Sequence, residues 1–454
     1  MKIAFIGAGS ICFCPATVMD ILQNEAISGT DLTVALMDIN KGALDISSGL
    51  CQKIKEITKR PANIFPTLSL EEALKDADYV LTAIEVDRYL YWSQDFLVPK
   101  KYGFRQIYGE NGGPGSMFHT LRNLPPLLHI AKTMERLCPN AYLLNYTNPE
   151  AKLIEMIRKE TSIKAVGLCH GEAVGKEQLS ILLDIPKEDL VTEVNGINHF
   201  GWFTKIEDKN GNDLYPLLKQ KDLEKDWDIH WDWLALARVM MRTYGLWSYP
   251  GTSHCGEFIA WSDSFMGNID KQYFTDPATE KFWGSGRDPK AKYAYAYNKI
   301  MPLAGGKAKE MEEEMYRNAF DIHEGKLWTS GEYGVPIIEA IHFNKPTLIG
   351  ALNTPNTGFA KGLKMGMVVE VPAMVDGKGI HPIETTPLPT AINSMIYTQG
   401  TIHELVYEAY KEKSRKKLLQ AVLLDPTIST YNNAVAMIDE MCELQKELLP
   451  ELNW

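Results

Sequence analysis

The sequence predicts an α/β protein: a Rossmann-like, doubly wound parallel sheet followed by a second α+β domain. Short apolar runs alternate with helical segments through residue 168, as in strands joined by crossover helices. Polar clusters follow several of these runs, and an open parallel sheet places its ligands at the carboxyl ends of its strands. We place the domain boundary between residues 195 and 196.

The chain begins with a strand at residues 2–6 that runs into a glycine turn. Gly7, Gly9 and Ser10 form this turn, and an apolar helix follows it. Strand, glycine turn and helix N-terminus together are the context in which a dinucleotide pyrophosphate binds. The third glycine of the usual fingerprint is missing, since Cys12 occupies its position, so the motif is not specific by itself.

Asp38 ends the second predicted strand, residues 33–37. A carboxylate at this point accepts a hydrogen bond from a ribose hydroxyl, which favours NAD over its phosphorylated relative. Asp38 is also suited to cap the helix that begins near Lys41, and the two roles are compatible. Two further strands are predicted at residues 64–68 and 79–84.

Three polar clusters follow later apolar runs, at residues 145–149, 167–171 and 195–200. They contain Cys169 and His199, whose side chains are both ligands for a borderline divalent metal. These residues are far apart in sequence and meet only through the fold. A lone cysteine is more often buried for packing, and a lone histidine is more often part of a core. Their position after strands, in a chain with a dinucleotide turn, favours a metal site.

The glycine-rich stretch 108–116 precedes a helical segment, residues 117–137. We interpret the stretch as an active-site loop, and the alternative is a flexible surface connector. Pro125 and Pro126 predict a kink or a break in the helix that follows.

After residue 199 the pattern is less regular. Helices are predicted at residues 227–241, 306–324, 390–412 and 430–448. The run at residues 368–373 is predicted to be a strand that Pro372 places at an edge or an end. With no internal repeat or low-complexity linker, the second domain is expected to pack on the first, with the ligand cleft between them.

Composition narrows the class of partner. The net charge of −11 argues against nucleic acid and against an anionic membrane surface. Seven cysteines without disulfide spacing indicate a reducing, cytoplasmic compartment. The first apolar run is too short for a signal peptide, and no run of roughly 18 apolar residues exists that would span a membrane.

The motifs taken together resemble glycoside hydrolase family 4, the NAD- and divalent-metal-dependent glycosidases. The matches in chain order are Gly7-Ala8-Gly9-Ser10 with Pro15, Gly112 to Gly115 with Leu121-Arg122, Asn145 to Pro149, Gly167 to His170, Asn198-His199, Ser330-Gly331-Glu332, Val369 to Pro372, and Asp425-Pro426. The resemblance implies a fold similar to that of lactate and malate dehydrogenases, NAD and Mn²⁺ as cofactors, a sugar as substrate, and a homodimer or homotetramer.

The resemblance also implies an unusual hydrolysis. Most glycosidases use a pair of carboxylates that flank the scissile bond, and the NAD-dependent family is a known exception. In this family NAD⁺ takes hydride from C3 of the sugar, a base removes the C2 proton, and the C1 substituent is eliminated before water adds. Cys169 and His199 match the family's metal ligands. Asn148 matches the residue that contacts the sugar hydroxyls.

The acid and the base stay open. Glu110 is a candidate acid by position, with a solvated loop carboxylate as the alternative. His170 stands where some members carry an acidic Asp, and Thr252 stands where one subgroup carries its basic Asp. Tyr244 and Tyr249 are the remaining candidate bases, which requires that their pKa be lowered. The alternative for each tyrosine is aromatic packing.

Cys169-His170-Gly171 resembles the subgroup that cleaves uronides, the α-glucuronidases and α-galacturonidases. Gly171 leaves space for a carboxylate at C6, with which His170, His254 or Arg122 could pair. Within the family the alternative is an α-galactosidase or α-glucosidase. Outside it, a 2-hydroxy-acid dehydrogenase and a non-catalytic NAD-binding sensor are the rival hypotheses. The metal-binding cysteine argues against the dehydrogenase.

Overall fold

The computed structural model describes residues 1–10, 13–86, 88–224, 234–265 and 321–454. The strands within these residues are β1 (Lys2–Ile6), β2 (Leu32–Met37), β3 (Ala62–Thr67), β4 (Tyr79–Thr82), β5 (Tyr142–Asn145), β6 (Lys164–Gly167), β7 (Leu190–Ile197), β8 (Phe200–Asp208), β9 (Trp247–Tyr249), β10 (Thr347–Pro355), β11 (Val368–Asp376) and β12 (Gly379–Pro382).

The helices in the same ranges are α1 (Cys14–Gln23), α2 (Glu25–Ser28), α3 (Lys41–Thr58), α4 (Leu70–Leu74), α5 (Arg88–Lys101), α6 (Gly113–Leu137), α7 (Glu150–Glu160), α8 (Gly171–Leu183), α9 (Tyr215–Glu224), α10 (Ala235–Tyr244), α11 (Thr252–Cys255), α12 (Gly334–His342), α13 (Thr390–Glu412), α14 (Arg415–Leu424) and α15 (Tyr431–Leu444). None of the described helices is long and apolar enough to cross a membrane.

A nine-stranded sheet forms the centre of the molecule, in the order β12-β11-β10-β6-β5-β4-β1-β2-β3. The six strands from β6 to β3 in this order pair in parallel, so the prediction of a doubly wound sheet is confirmed. The C-terminal half adds β10, β11 and β12 to the same sheet by antiparallel pairing. The large sheet thus uses strands from both sides of residue 195, and the domain boundary there stays a prediction.

A second, three-stranded antiparallel sheet has the order β7-β8-β9. Its strand β7 lies against β11 and β10 of the large sheet. Apolar side chains of β8 and β9, among them Phe203, Trp247 and Tyr249, pack with those of α8. The small sheet therefore stands beside the edge of the large sheet to which the C-terminal strands were added.

The structure corrects two expectations about proline. Helix α6 is not broken at Pro125 and Pro126, because its apolar face, including Leu121 and Leu124, is buried in the main core, while the kink stays a prediction. Pro372 lies inside β11, which is paired on both sides rather than at an edge. Its missing N–H is tolerated because it faces an irregularity in the pairing with β10, and its carbonyl accepts a hydrogen bond from Ile383.

The C-terminal region contains three helices where two were predicted, since α14 was missed. The predicted helix 227–241 is described only from residue 234 onward, where it forms most of α10. Its first residues, Cys12 and most of the predicted helix 306–324 lie outside the described residues.

Candidate active site

The carboxyl ends of β4, β5 and β6 bring the sequence-predicted polar clusters side by side. Beyond the strands the backbone stays in register: Tyr146 N donates to Thr82 O at 2.8 Å, and Leu168 N donates to Asn145 O at 2.9 Å. Parallel strands end at one edge of their sheet. The segments that carry Asn148 and Cys169 are therefore neighbours, as the sequence predicted.

The glycine turn after β1 has the predicted tight geometry. Gly7 has φ +89°, and a Cβ there would collide with the carbonyl of Ala83. Gly9 N donates to Asp38 Oδ2 at 2.8 Å, and a Cβ on Gly9 would lie 2.8 Å from this same oxygen. Ser10 accepts at Oγ from the N–H of Phe13, just before α1. Asp38 thus joins the end of β2 to the glycine turn.

His199 lies in the tight connection between β7 and β8 and is buried. Its Nδ1 is 2.9 Å from Asn111 Nδ2, and its ring meets that of His254 edge-on at 4.7 Å. Burial lowers the pKa of His199 well below its usual value, and His254 adds to this effect. The imidazole is therefore neutral near pH 7, which is the form that ligates metals.

Within the described ranges, Glu110, His199 and Glu257 form a group whose ligand atoms all lie within 4.8 Å of one another. All three residues are buried. Cys169 does not belong to this group. The fold therefore surrounds His199 with two carboxylates that the sequence did not link to it.

Cys169 is half-buried after β6, and its Sγ accepts from Gly171 N at 3.3 Å. Burial raises the pKa of the thiol well above its usual value, and the carboxylates of Glu370, Glu150 and Glu332 raise it further. In the protein alone the sulfur is therefore a thiol. A cation that binds it must displace the proton.

Tyr249 is fully buried, and its hydroxyl donates to Glu370 Oε2 at 2.8 Å. Oε1 of Glu370 accepts from Asn353 at 3.0 Å and from Asn198 at 3.3 Å. Burial raises the pKa of Tyr249 well above its usual range, and Glu370 adds to this. A base needs a lowered pKa, and these protein contacts do not supply it, so the role of Tyr249 as base stays a prediction.

The other candidate base, Tyr244, lies at the end of α10 with its ring edge-on to Trp202 at 6.4 Å. It packs against the apolar cluster that contains Phe258 and Ile259. Thr252 is buried, and its Oγ1 accepts from Leu236 N at 3.1 Å. The contacts of Tyr244 are those of a packing residue.

Glu110 is buried, and its Oε1 accepts from Arg88 Nη2 at 2.6 Å. Burial alone would raise its pKa, but Arg88, His119 and His199 outweigh burial and lower the pKa to about 2. Glu110 is therefore ionised near neutral pH and does not fit the acid expected of it. Glu257 differs from Glu110 in this respect. Burial and the charge of Glu110 raise the pKa of Glu257 to about 8, although hydrogen bonds from three backbone N–H groups act to lower it.

Arg122 does not point to an open site. Its guanidinium donates to both carboxylate oxygens of Asp95, at 2.8 and 3.2 Å, and to Gln445 Oε1 at 2.8 Å. Both partners are buried with it. The expectation that Arg122 pairs with a substrate carboxylate is therefore wrong for this structure, because Asp95 already neutralises it.

The remaining predicted residues line the edge of the sheet. His170 has a 55% exposed side chain, and its Nδ1 is 2.9 Å from Glu332 Oε1, a contact that raises the pKa of His170. His254 stacks on Tyr108 at 5.7 Å, and burial lowers its pKa. Asn148 is half-buried, and its carbonyl accepts from Asn123 Nδ2 at 2.8 Å.

Sequence reasoning gave no role to several residues that the fold brings to this region, namely Glu85, Asn111, Lys152, Glu257, Glu332 and Glu370. Two of them, Glu332 and Glu370, stand inside matched motifs, which was an available signal. The others make their contacts only through the fold: Glu85 Oε2 is 2.7 Å from His119 Nε2, for example.

Comparison with known proteins covers nearly the whole chain. The model of the family 4 glycosyl hydrolases matches residues 2–185, and the model of their C-terminal domain matches residues 194–428. An α-galactosidase of Bacillus subtilis is 31% identical, over 99% of each chain. An α-glucosidase of Erwinia rhapontici is 29% identical, over 100% of this chain and 99% of that one. An α-galacturonidase of Thermoanaerobacter italicus is also 29% identical, over 99% and 97%.

Solved structures agree with the fold. A 6-phospho-α-glucosidase from gut microorganisms, in complex with NAD and Mn²⁺, has a TM-score of 0.77 at 21% identity, covering 100% of this chain and 99% of that one. A putative glucosidase from Bacillus subtilis has a TM-score of 0.76 at 25% identity, covering 97% and 99%. The shared architecture therefore extends over both sheets.

Proposed function

Because the chain belongs to the family 4 glycosyl hydrolases, and is therefore a glycoside hydrolase, we propose that it cleaves α-linked uronides with NAD and Mn²⁺ as cofactors. When bound, NAD supplies a hydride acceptor for the sugar C3, and the cation supplies a Lewis acid for the oxygens at C2 and C3. The protein's own residues hold these groups and orient the sugar.

The glycine turn fits a dinucleotide. Main-chain N–H groups near the start of α1 suit a pyrophosphate, and a side chain on Gly7 or Gly9 would collide with Ala83 or with Ala43 and Asp38, so the tight turn requires glycine at both positions. Asp38 at the end of β2 suits a ribose hydroxyl. Its carboxylate already accepts from Gly9 N, so the residue that would contact the ribose also shapes the turn.

The donor set fits a borderline divalent cation. His199 is a neutral imidazole, and Cys169 is a thiol whose proton a bound cation would displace. Near His199, Glu257 Oε1 is buried and has no hydrogen-bond partner among the described residues. A positive charge there would stabilise that oxygen, and would lower the raised pKa of Glu257.

The uronide assignment rests on His170. Of the three candidate partners for a C6 carboxylate, Arg122 is buried and already donates to Asp95 and Gln445, and His254 has a lowered pKa. His170 has a raised pKa, and its Nε2 makes no hydrogen bond to the described part of the chain. A protonated His170 would donate from Nε2 to an anion while Nδ1 holds Glu332.

Gly171 supports the same assignment. A Cβ there would lie 3.4 Å from Cys169 Sγ and 3.5 Å from Pro250, so one methyl group would fill the gap beside the thiol. The gap is open because the residue is glycine. We infer that glycine at this position leaves more room for a C6 carboxylate than a larger residue would.

The test is a panel of p-nitrophenyl α-glycosides and α-uronides, assayed with NAD⁺, Mn²⁺ and a thiol reductant. A charge-assisted hydrogen bond contributes roughly 1.5 to 3 kcal/mol, which corresponds to about tenfold to a hundredfold preference for the uronide over the neutral hexoside. Product formed in D₂O should carry deuterium at C2. Product without deuterium contradicts the elimination chemistry.

The second candidate function is a neutral α-galactosidase or α-glucosidase, which is favoured by the 31% and 29% identity to enzymes with these names. Faster cleavage of a neutral α-hexoside in the same panel selects this candidate and excludes the uronide. The homodimer or homotetramer stays a prediction, and light scattering on the purified protein tests it.

A further inference from the structure

The carboxylate of Glu257 anchors the glycine-rich loop. Its Oε2 accepts hydrogen bonds from three consecutive main-chain N–H groups, those of Glu110 at 2.8 Å, Asn111 at 2.7 Å and Gly112 at 2.9 Å. Glu257 lies in the short 3₁₀ helix Gly256–Phe258 and is fully buried. A residue from the second half of the chain thus determines the backbone path of a loop in the first half.

The loop at Gly112 and the 3₁₀ helix at Glu257 are in close backbone contact. A Cβ on Gly112 would lie 2.7 Å from both Cβ and the carbonyl oxygen of Glu257. Backbone atoms cannot move aside as the end of a flexible side chain can. Glycine at position 112 is therefore required by Glu257, and not only by the flexibility of a loop.

Asn111 is held from the other side by Lys152, whose Nζ donates to the Asn111 carbonyl and, at 3.2 Å, to Ser116 Oγ. With its N–H and C=O both fixed, Asn111 presents its carboxamide to His199, 2.9 Å from Nδ1. All of these residues are buried. A continuous chain of contacts therefore runs from Glu257 to the imidazole.

We propose that Glu257 is a positioning residue for the metal ligand His199, acting through the backbone of residues 110–112 and the carboxamide of Asn111. The proposal rests on the proposed function, because it needs a divalent cation at His199. A metal-ligating histidine almost always uses its other ring nitrogen for a hydrogen bond that fixes tautomer and orientation. Asn111 lies at hydrogen-bonding distance from Nδ1 here, so Nε2 is the ring nitrogen that a cation would use.

If Nε2 of His199 binds the cation, Nδ1 carries the proton, and the carboxamide of Asn111 must present its oxygen to Nδ1. With Nδ2 toward His199, Oδ1 of Asn111 is buried without a partner in the described chain. A half turn of the amide, which exchanges two atoms of nearly equal size, brings Oδ1 to a protonated Nδ1. Nε2 then carries the lone pair that a cation needs.

Mn²⁺ affinity of the full chain tests the proposal, measured without substrate from the electron paramagnetic resonance signal of free Mn²⁺. Glu257→Ala and Asn111→Ala should each weaken binding by about tenfold to a hundredfold. The double variant should be no weaker than the worse single variant, since both changes break one chain of contacts. Glu257→Gln keeps an acceptor for the three N–H groups and should retain most of the affinity.

A matched control is Asn356→Ala. Asn356 is also buried and also holds a loop, through Gly358 N at 3.0 Å and Ala360 N at 3.1 Å. This variant should bind Mn²⁺ as the wild type does, and NAD⁺ affinity should stay within about twofold in every variant, because the glycine turn is untouched.

The outcomes separate the hypotheses. Wild-type Mn²⁺ affinity in Asn111→Ala overturns the positioning role and leaves the proposed function standing. Equal losses in Glu257→Gln and Glu257→Ala also overturn it, because they indicate a direct ligand. A wild-type protein that binds no Mn²⁺ overturns both. If Glu257→Ala fails to fold, Glu257→Gln and Asn111→Ala decide the matter by the same criteria.

Discussion

The buried pair of Arg122 and Asp95 yields the sharpest prediction. The side chains are 1% and 0% exposed, and Nη2 of Arg122 lies 2.8 Å from Asp95 Oδ2. Arg122→Ala leaves a carboxylate buried without its main cation, while the hydrogen bond from Gln445 Nε2 at 2.8 Å remains. Breaking a buried pair in this way costs about 3 to 5 kcal/mol of unfolding free energy.

The destabilisation should depend on pH. Burial already raises the pKa of Asp95, and losing Arg122 removes the main opposing effect. A carboxyl whose folded pKa lies above its unfolded value of about 4 contributes stability below that value and loses it as pH rises through the folded pKa. Arg122→Ala should therefore be more destabilised, relative to wild type, at pH 7 than at pH 4.

Urea unfolding of wild type and variant at both pH values measures the effect, and kcat/KM for an α-uronide and the matching α-hexoside measures specificity. The ratio of the two kcat/KM values should change by less than about twofold, because Arg122 is directed at Asp95. The control is Arg136→Ala, whose partner Glu71 lies 2.6 Å away but whose side chains are 59% and 68% exposed. It should cost at most about 1 kcal/mol.

One result would refute the reasoning: a tenfold fall in the uronide-to-hexoside ratio with unchanged stability. Arg122 would then contact the sugar rather than Asp95. The double variant Arg122→Met, Asp95→Leu gives a second check, since removing both charges should recover part of the lost stability.

Three further predictions concern the site itself. Cys169→Ser should lose Mn²⁺ affinity while calorimetry still detects NAD⁺ binding, and full activity of this variant in the presence of chelator would contradict the metal assignment. Asp38→Ala should narrow the preference for NAD⁺ over NADP⁺, and an unchanged ratio of affinities would show that Asp38 does not face the ribose. Glu110→Gln should change the rate without moving the acidic limb of the kcat/KM profile, because a carboxyl with a pKa of about 2 is ionised throughout; a displaced limb would identify Glu110 as the titrating group.

The parts of the fold that were predictable are those with local causes. Each parallel strand is a short apolar run, and Gly7 and Asp38 stand at the end of such a run. The strand ends also carried Asn148 and Cys169, which is why the polar clusters could be found. At these strand ends, the change from apolar to polar or glycine residues indicates where the chain leaves the sheet.

The errors have tertiary causes. Arg122 was expected at the substrate, but its partner Asp95 comes from α5, and only the packing of α5 on α6 brings the two together. Glu110 was expected to be an acid, but its ion pair with Arg88 favours the ionised form. Tyr249 was expected to be a base, but its hydroxyl donates a hydrogen bond to Glu370, which comes from a strand distant in sequence.

The antiparallel pairing of β10 with β6, through Asn353 and Gly167, also bears on how the chain is made. All of the strands of the parallel sheet have been synthesised once β6 is complete, yet the strand that covers the edge of β6 is encoded roughly 190 residues later. At about 5 to 20 residues per second, this edge stays open for roughly 10 to 40 seconds. During that interval it offers unpaired N–H and C=O groups to any neighbouring chain. During synthesis there is therefore a period in which pairing of β6 with other nascent chains competes with the later pairing of β6 with β10.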